Sequence, residues 1–144
     1  KFKITFLRYL SFPFYLLLTS NVFVGWFIKQ FPNKTTPIYI FCGNGNNGGD
    51  GFVISRLLHQ ESYKVNVIAQ ALPIKRSKDN EANLNAIHKI SDLKILTLSN
   101  SDDFPSTEND SIGVDALFSA RDLAAKEINR LMKQSAVTDS FEFA

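Results

Sequence analysis

The sequence predicts an α/β protein: a mostly parallel sheet with helices on both faces, in three layers. Three observations carry this. Short β-rich apolar runs alternate with amphipathic stretches of helical length, the pattern of strands joined by crossover helices. The run IYIFC at 38–42 is continuously apolar, as a strand buried on both faces reads. The nine residues GNGNNGGDG at 43–51 hold five of the chain's seven glycines at a strand-to-helix junction, the place where such sheets bind ligands.

The first thirty residues admit two readings. Residues 9–28 carry no charge, a span that would cross a bilayer, and Lys1, Lys3 and Arg8 precede it as in an export signal. Ser11, Pro13, Thr19, Ser20, Asn21 and Gly25 interrupt the run, and residues 20–31 read as a half-buried helix with a polar end. A core-packed element is therefore expected, with a membrane or exported form as the alternative. The chain starts at Lys1, and an upstream portion is expected before it.

After a PNKTTP turn at 32–37, the strand at 38–42 leads into the glycine stretch, read as a loop. A helix follows over 52–60, with Val53, Ile54, Leu57 and Leu58 on one stripe. Strands are predicted at 64–69, 93–98 and 111–118, with a fifth beginning near 136. Helices are predicted at 77–90 and 120–134, and 100–110 reads as an acidic surface loop.

Composition narrows the function. The 144 residues are 44% hydrophobic and 21% charged with a net charge of +2, which suits one globular domain with a real core. Lys75, Arg76 and Lys78 form the densest basic group, too thin for a nucleic-acid footprint and read as a solvated loop. No nucleic-acid partner is expected. The single cysteine, Cys42, makes no internal disulfide or cysteine metal site and reads as a small buried hydrophobe. His59 and His88 sit on separate predicted helices without ligand spacing, as surface or half-buried residues.

The glycine stretch reads as a phosphate cradle, because a helix amino terminus offers unpaired N–H groups and glycines let a ligand approach the backbone. Gly43-x-Gly45-x-x-Gly48 matches the dinucleotide fingerprint in form. That fingerprint wants an acid at the end of the second strand for the ribose hydroxyls, and here the strand ends VIAQA. A standard NAD-dependent dehydrogenase is disfavoured. A Walker A loop is excluded, since no Lys-Ser/Thr pair follows the glycines. An Asn carbonyl and a carboxylate suit a hard cation. Asp50 either caps the following helix or touches ligand hydroxyls. Asp115 interrupts an apolar strand near its carboxyl end, where a carboxylate is costly unless it is paired or used. It is the candidate functional acid of the crevice, with a satisfied structural acid as the alternative.

IFCGNGNNGGDGFVISRLL closely resembles the signature of the YjeF N-terminal domain family, the NAD(P)H-hydrate epimerases. SIGVDALF resembles that family's second motif, a strand ending in Asp-Ala-x-Phe, and residues 20–43 resemble its helix before the first strand. The resemblance implies a Rossmann-like α/β/α sandwich that interconverts the R and S forms of hydrated NADH and NADPH. An NAD(P)H-hydrate dehydratase acting on the S form would be its functional partner. It implies that Asn46, Asn47, Gly48, Gly49 and Asp50 bind the hydrated dinucleotide, and that Asn47 and Asp115 help hold a potassium ion. It further implies a homodimer, and a cytoplasmic location is expected.

Three departures stand beside the match. Residues 1–19 do not resemble the family's leading helices and read as a divergent N-terminal segment. The epimerase-like domain is placed at 20–144, incomplete at its carboxyl end. After Phe118 the family has a glycine-containing loop that closes over the substrate, whereas SARDLAAKEIN runs almost directly into a helix. The family's Asp-x-Pro-Ser-Gly type motif is reduced to Asp139 and Ser140, with Asp139 as the match to a substrate-binding aspartate. These losses keep open a non-catalytic module of the same fold that binds a nucleotide or an RNA end.

Overall fold

The computed structural model describes residues 2–6, 13–71, 75–99, 105–117 and 139–143. The elements run β1 (Phe2–Phe6), α1 (Pro13–Gln30), β2 (Ile38–Cys42), α2 (Asn46–Gln60), β3 (Val65–Gln70), α3 (Lys78–His88), β4 (Ile95–Leu98), β5 (Ile112–Ala116) and β6 (Asp139–Phe143). They form a six-stranded sheet in the order β4-β3-β2-β5-β1-β6, with every pairing parallel. The α/β class and parallel sheet expected from the sequence are what the chain adopts. The predicted helix over 120–134 lies outside the described residues.

The pleat assigns the two faces. Ile38, Ile40 and Cys42 alternate with Tyr39 and Phe41 along β2, and all five are buried. The first set joins Val67, Ala69, Ile112 and Val114 beneath α1, α2 and α3 in the larger core. The second set joins Ile68, Leu98 and Leu117 in a smaller buried cluster on the opposite face. Burial on both faces explains the unbroken apolar run of β2, and the three described helices share one face.

The N-terminal stretch is part of this core. Pro13 opens α1, a position that needs no N–H, and Pro32 follows its end. Phe23, Val24 and Phe27 are buried at helical spacing. Phe27 packs at a tilt against Phe31 at 4.9 Å and meets Tyr63 edge-on at 5.8 Å between ring centroids. Among the described residues no helix is long and apolar enough to cross a membrane. The sequence reading also missed β1. Phe2–Phe6, within the segment read as divergent, lies between β5 and β6 in the same sheet.

The strand order positions the site. From β2 the chain steps outward through β3 to β4, then returns to lay β5 on the other side of β2. The order therefore reverses between β2 and β5. In sheets of this kind a crevice lies at such a reversal, beyond the carboxyl ends of the strands, and ligands bind in it.

Candidate functional site at the β2–β5 switch point

β2 delivers the chain into Gly43-Asn44-Gly45, and α2 begins at Asn46. In register, Phe41 lies beside Asp115 and Cys42 beside Ala116. The Gly43 N–H donates to the Ala116 carbonyl at 3.4 Å, holding the loop against the end of β5.

The loop carbonyls are tied to the start of α3. Asn80 Nδ2 donates to the Gly43 carbonyl at 2.9 Å and to the Gly45 carbonyl at 2.7 Å. The Ser77 N–H donates to the Asn44 carbonyl at 3.2 Å. Asn80 is fully buried, and its own Oδ1 accepts from Arg76 Nη1 at 2.9 Å. Arg76 Nη2 in turn donates to the Gln70 carbonyl at 2.7 Å, and the guanidinium lies over the Phe52 ring. Burial pulls the Arg76 pKa below its usual value. Arg76 is thus a half-buried brace, not the solvated cation expected of it, while Lys75 and Lys78 are exposed.

With its carbonyls held from one side, the loop turns into a helix that has no side-chain cap. Gly45 is the extended N-cap residue, and it offers no side-chain cap to the first turn. The leading N–H groups of α2 thus carry the partial positive charge of an uncapped helix start, which suits an anion.

The glycines serve a purpose other than backbone freedom. No described glycine has a positive φ, and Gly48, Gly49 and Gly51 lie inside α2. A Cβ on Gly48 would overlap the Gly43 carbonyl oxygen and lie 2.8 Å from Asn80 Nδ2. One on Gly51 would lie 2.7 Å from both Ala116 Cβ and Cys42 Sγ. The missing side chains let α2 sit against the loop, α3 and the strand ends at once. The reading of 43–51 as a loop is corrected accordingly: tertiary packing overrides the poor helix propensity of Gly and Asn.

Of the predicted site residues, the structure gathers Asn46, Asn47, Gly48, Gly49 and Asp50 into the first turns of α2, with Asp115 at the end of β5. Asn46 is exposed and Asn47 is 3% exposed. Among the described residues Asn47 Nδ2 has no hydrogen-bond partner. Asp50 is fully buried one turn inside α2, past the cap position. The Asp115 carboxylate, 4% exposed, accepts from the Leu117 N–H at 2.9 Å. Burial raises the Cys42 thiol far above its ordinary pKa. Arg76 opposes the rise and Asp115 adds to it, so both charges lie within electrostatic reach of Cys42. Asp139 is not brought to this crevice. It opens β6 in register with Phe2, which is level with Ile112 and Ile38 at the amino edge of the sheet. About 13 Å of strand separates that edge from the carboxyl ends.

Sequence reasoning missed Asn80, Arg76 and Gln70. The usable signal was position: all three flank the β3-to-α3 junction, on the same sheet edge as the glycine loop.

The YjeF_N family model, YjeF-related protein N-terminus, matches residues 18–141. An NAD(P)H-hydrate epimerase of Rhodobacter capsulatus is 39% identical over 79 residues, 55% of this chain and 35% of that protein. The bifunctional NAD(P)H-hydrate repair enzyme Nnr of Escherichia coli is 43% identical over 51 residues, 33% of this chain and 10% of that protein. The match thus spans about a third or less of either relative. The crystal structure of yeast ynu0, YNL200c, superposes with a TM-score of 0.64 at 22% identity, covering 87% of this chain and 58% of that one, and supports the fold. The family model runs through the glycine stretch, α2 and the Asp115 strand, and on that match the chain belongs to the YjeF-related protein N-terminus family.

Proposed function

We propose that this chain is an epimerase of nicotinamide cofactor repair, interconverting the R and S forms of hydrated NADH and NADPH. One observation carries the reading. At the switch point, the start of α2, which has no side-chain cap and carries the buried Asn47, lies beside the end of β5, which carries the buried Asp115. The relatives named NAD(P)H-hydrate epimerase and Nnr supply the substrate class, and Nnr's bifunctional name supports a dehydratase as functional partner.

In this reading the pyrophosphate of the dinucleotide lies on the first turn of α2, where Asn46 to Asp50 supply backbone N–H groups and side-chain contacts. Asp115 holds or moves a proton at the nicotinamide end. The Leu117 N–H fixes one of its oxygens. A positioned carboxylate of this kind contributes ~10²–10⁴-fold to a proton transfer.

Potassium fits the donor chemistry. Among the described residues no cluster of three or more His, Cys, Asp or Glu could hold a metal, so oxygen donors of other kinds must complete a cation site. The unpartnered Asn47 amide nitrogen exchanges places with its carbonyl oxygen on a 180° flip. Asn47 and Asp115 would then offer hard oxygens. The ion would supply fixed positive charge beside an anionic substrate.

The test uses the purified chain and the separated R form of hydrated NADH with potassium present. Appearance of the S form is followed by chromatography beside Asp115→Asn. Acceleration over buffer by the parent chain and none by the variant is the expected result. Equal rates in protein and buffer would sink the epimerase reading and leave a binding module.

A further inference from the structure

Gln70 closes β3 at the carboxyl edge of the sheet. It is 1% exposed, yet among the described residues neither Oε1 nor Nε2 of its side chain has a hydrogen-bond partner. A carboxamide buried with both ends unpaired is costly, and an apolar side chain would fill the same space without that cost. Such a group persists most readily where a ligand completes it. The placement agrees. Ala69 is in register with Cys42, so Gln70 stands level with Gly43, one strand from the glycine loop. Its main-chain carbonyl holds Arg76, which anchors Asn80 and through it the loop itself.

In an open α/β sheet with phosphate on the first helix start, the tip of the next strand faces the ribose. An acid there accepts from the ribose hydroxyls and repels a 2′-phosphate. A glutamine does neither to the exclusion of the other. Its Oε1 accepts from a hydroxyl, and its Nε2 donates to a phosphate oxygen. The Arg76 guanidinium adds positive charge at the same strand end.

We propose that Gln70 is a specificity residue of the crevice, its carboxamide engaging the 2′ position of the substrate's adenosine ribose and admitting hydroxyl and phosphate alike. This rests on the reading that places a dinucleotide on the glycine loop.

The experiment is calorimetric titration of the full chain with NAD⁺ and with NADP⁺, which share that ribose with the hydrated substrates. Gln70→Glu and Gln70→Met are titrated in parallel, and the thermal midpoint of each ligand-free protein is recorded. The parent chain should bind the two nucleotides within about threefold of each other. Gln70→Glu should weaken NADP⁺ at least tenfold more than NAD⁺. Gln70→Met should weaken both about tenfold while raising the midpoint, because it removes two unpaired polar atoms. A purely structural glutamine would give a lower midpoint and unchanged binding. If the parent binds both nucleotides and both variants match it, the Gln70 assignment is overturned and the dinucleotide reading stands. If the parent binds neither at millimolar concentration, the dinucleotide reading fails and takes this inference with it.

Discussion

Two glycines on helices should respond with opposite sign to the same substitution. Gly25 lies exposed on α1, and a Cβ there meets nothing within 4 Å. Gly25→Ala should stabilise by the ordinary helix-interior difference, ~0.5–1 kcal/mol. Gly48 also lies on a helix, but its Cβ would overlap the Gly43 carbonyl oxygen, 2.6 Å from the carbonyl carbon and 2.8 Å from Asn80 Nδ2. The loop would have to retreat. That stretches the two Asn80 donations, each worth ~1 kcal/mol, and adds ~1–3 kcal/mol of overpacking strain. After the helical gain is subtracted, Gly48→Ala should lose ~2–4 kcal/mol. Urea unfolding followed by Trp26 fluorescence measures both variants on one scale. A Gly48→Ala protein as stable as the parent, or two shifts of the same sign, would refute the close-approach account.

Asn80→Ala leaves the Gly43 and Gly45 carbonyls without their side-chain donor and should destabilise by ~2–4 kcal/mol in the same assay. The isosteric Asn80→Asp keeps an acceptor for Arg76 and loses both donations, so parent-like stability of that variant would discredit the staple. Alkaline stability should depend on Cys42. Its folded pKa lies well above the ordinary 9.0, so as pH rises past ~9 the unfolded chain loses a proton that the folded chain keeps. Stability then falls by up to ~1.4 kcal/mol per pH unit for this group. Cys42→Ala should remove that component of the slope above pH 9, and an unchanged slope would show that the thiol is not the cause.

Legibility in the sequence followed the range of the forces involved. β2 could be read directly, because a strand buried on both faces must be apolar at every position. The start of α2 could not. Gly and Asn disfavour helix by local propensity, and the contacts that hold the loop before α2 come from Asn80, 35 positions beyond Gly45. β1 carries an alternation of Phe2, Ile4 and Phe6 with Lys3 and Thr5, but five residues beside a long uncharged run are too short a pattern to stand out from it. Asp115 could be found because a carboxylate in an apolar strand is conspicuous. Asn80, Arg76 and Gln70 could not, since their roles exist only once α3 closes over the loop. Asp139 could be matched only by residue type within a reduced motif, and its place at the amino end of β6 exists only once the sheet is formed.

The same geometry explains why the motif is so dense in glycine. Two demands meet in residues 43–51: α2 must lie against the ends of β2 and β5, and the loop before it must accept the Asn80 clamp. Gly51 meets the first demand against Cys42 and Ala116. Gly48 and Gly49 meet the second, with Asn80 on the far side of both. A site built this way takes its shape from α3. Residues 76–80, remote from the motif in sequence, hold every carbonyl of residues 43–45 and so leave the N–H side of the helix start as the face a ligand can use. Binding defects from changes at Arg76 or Asn80 would then reach the crevice through the loop's conformation, without either side chain touching substrate.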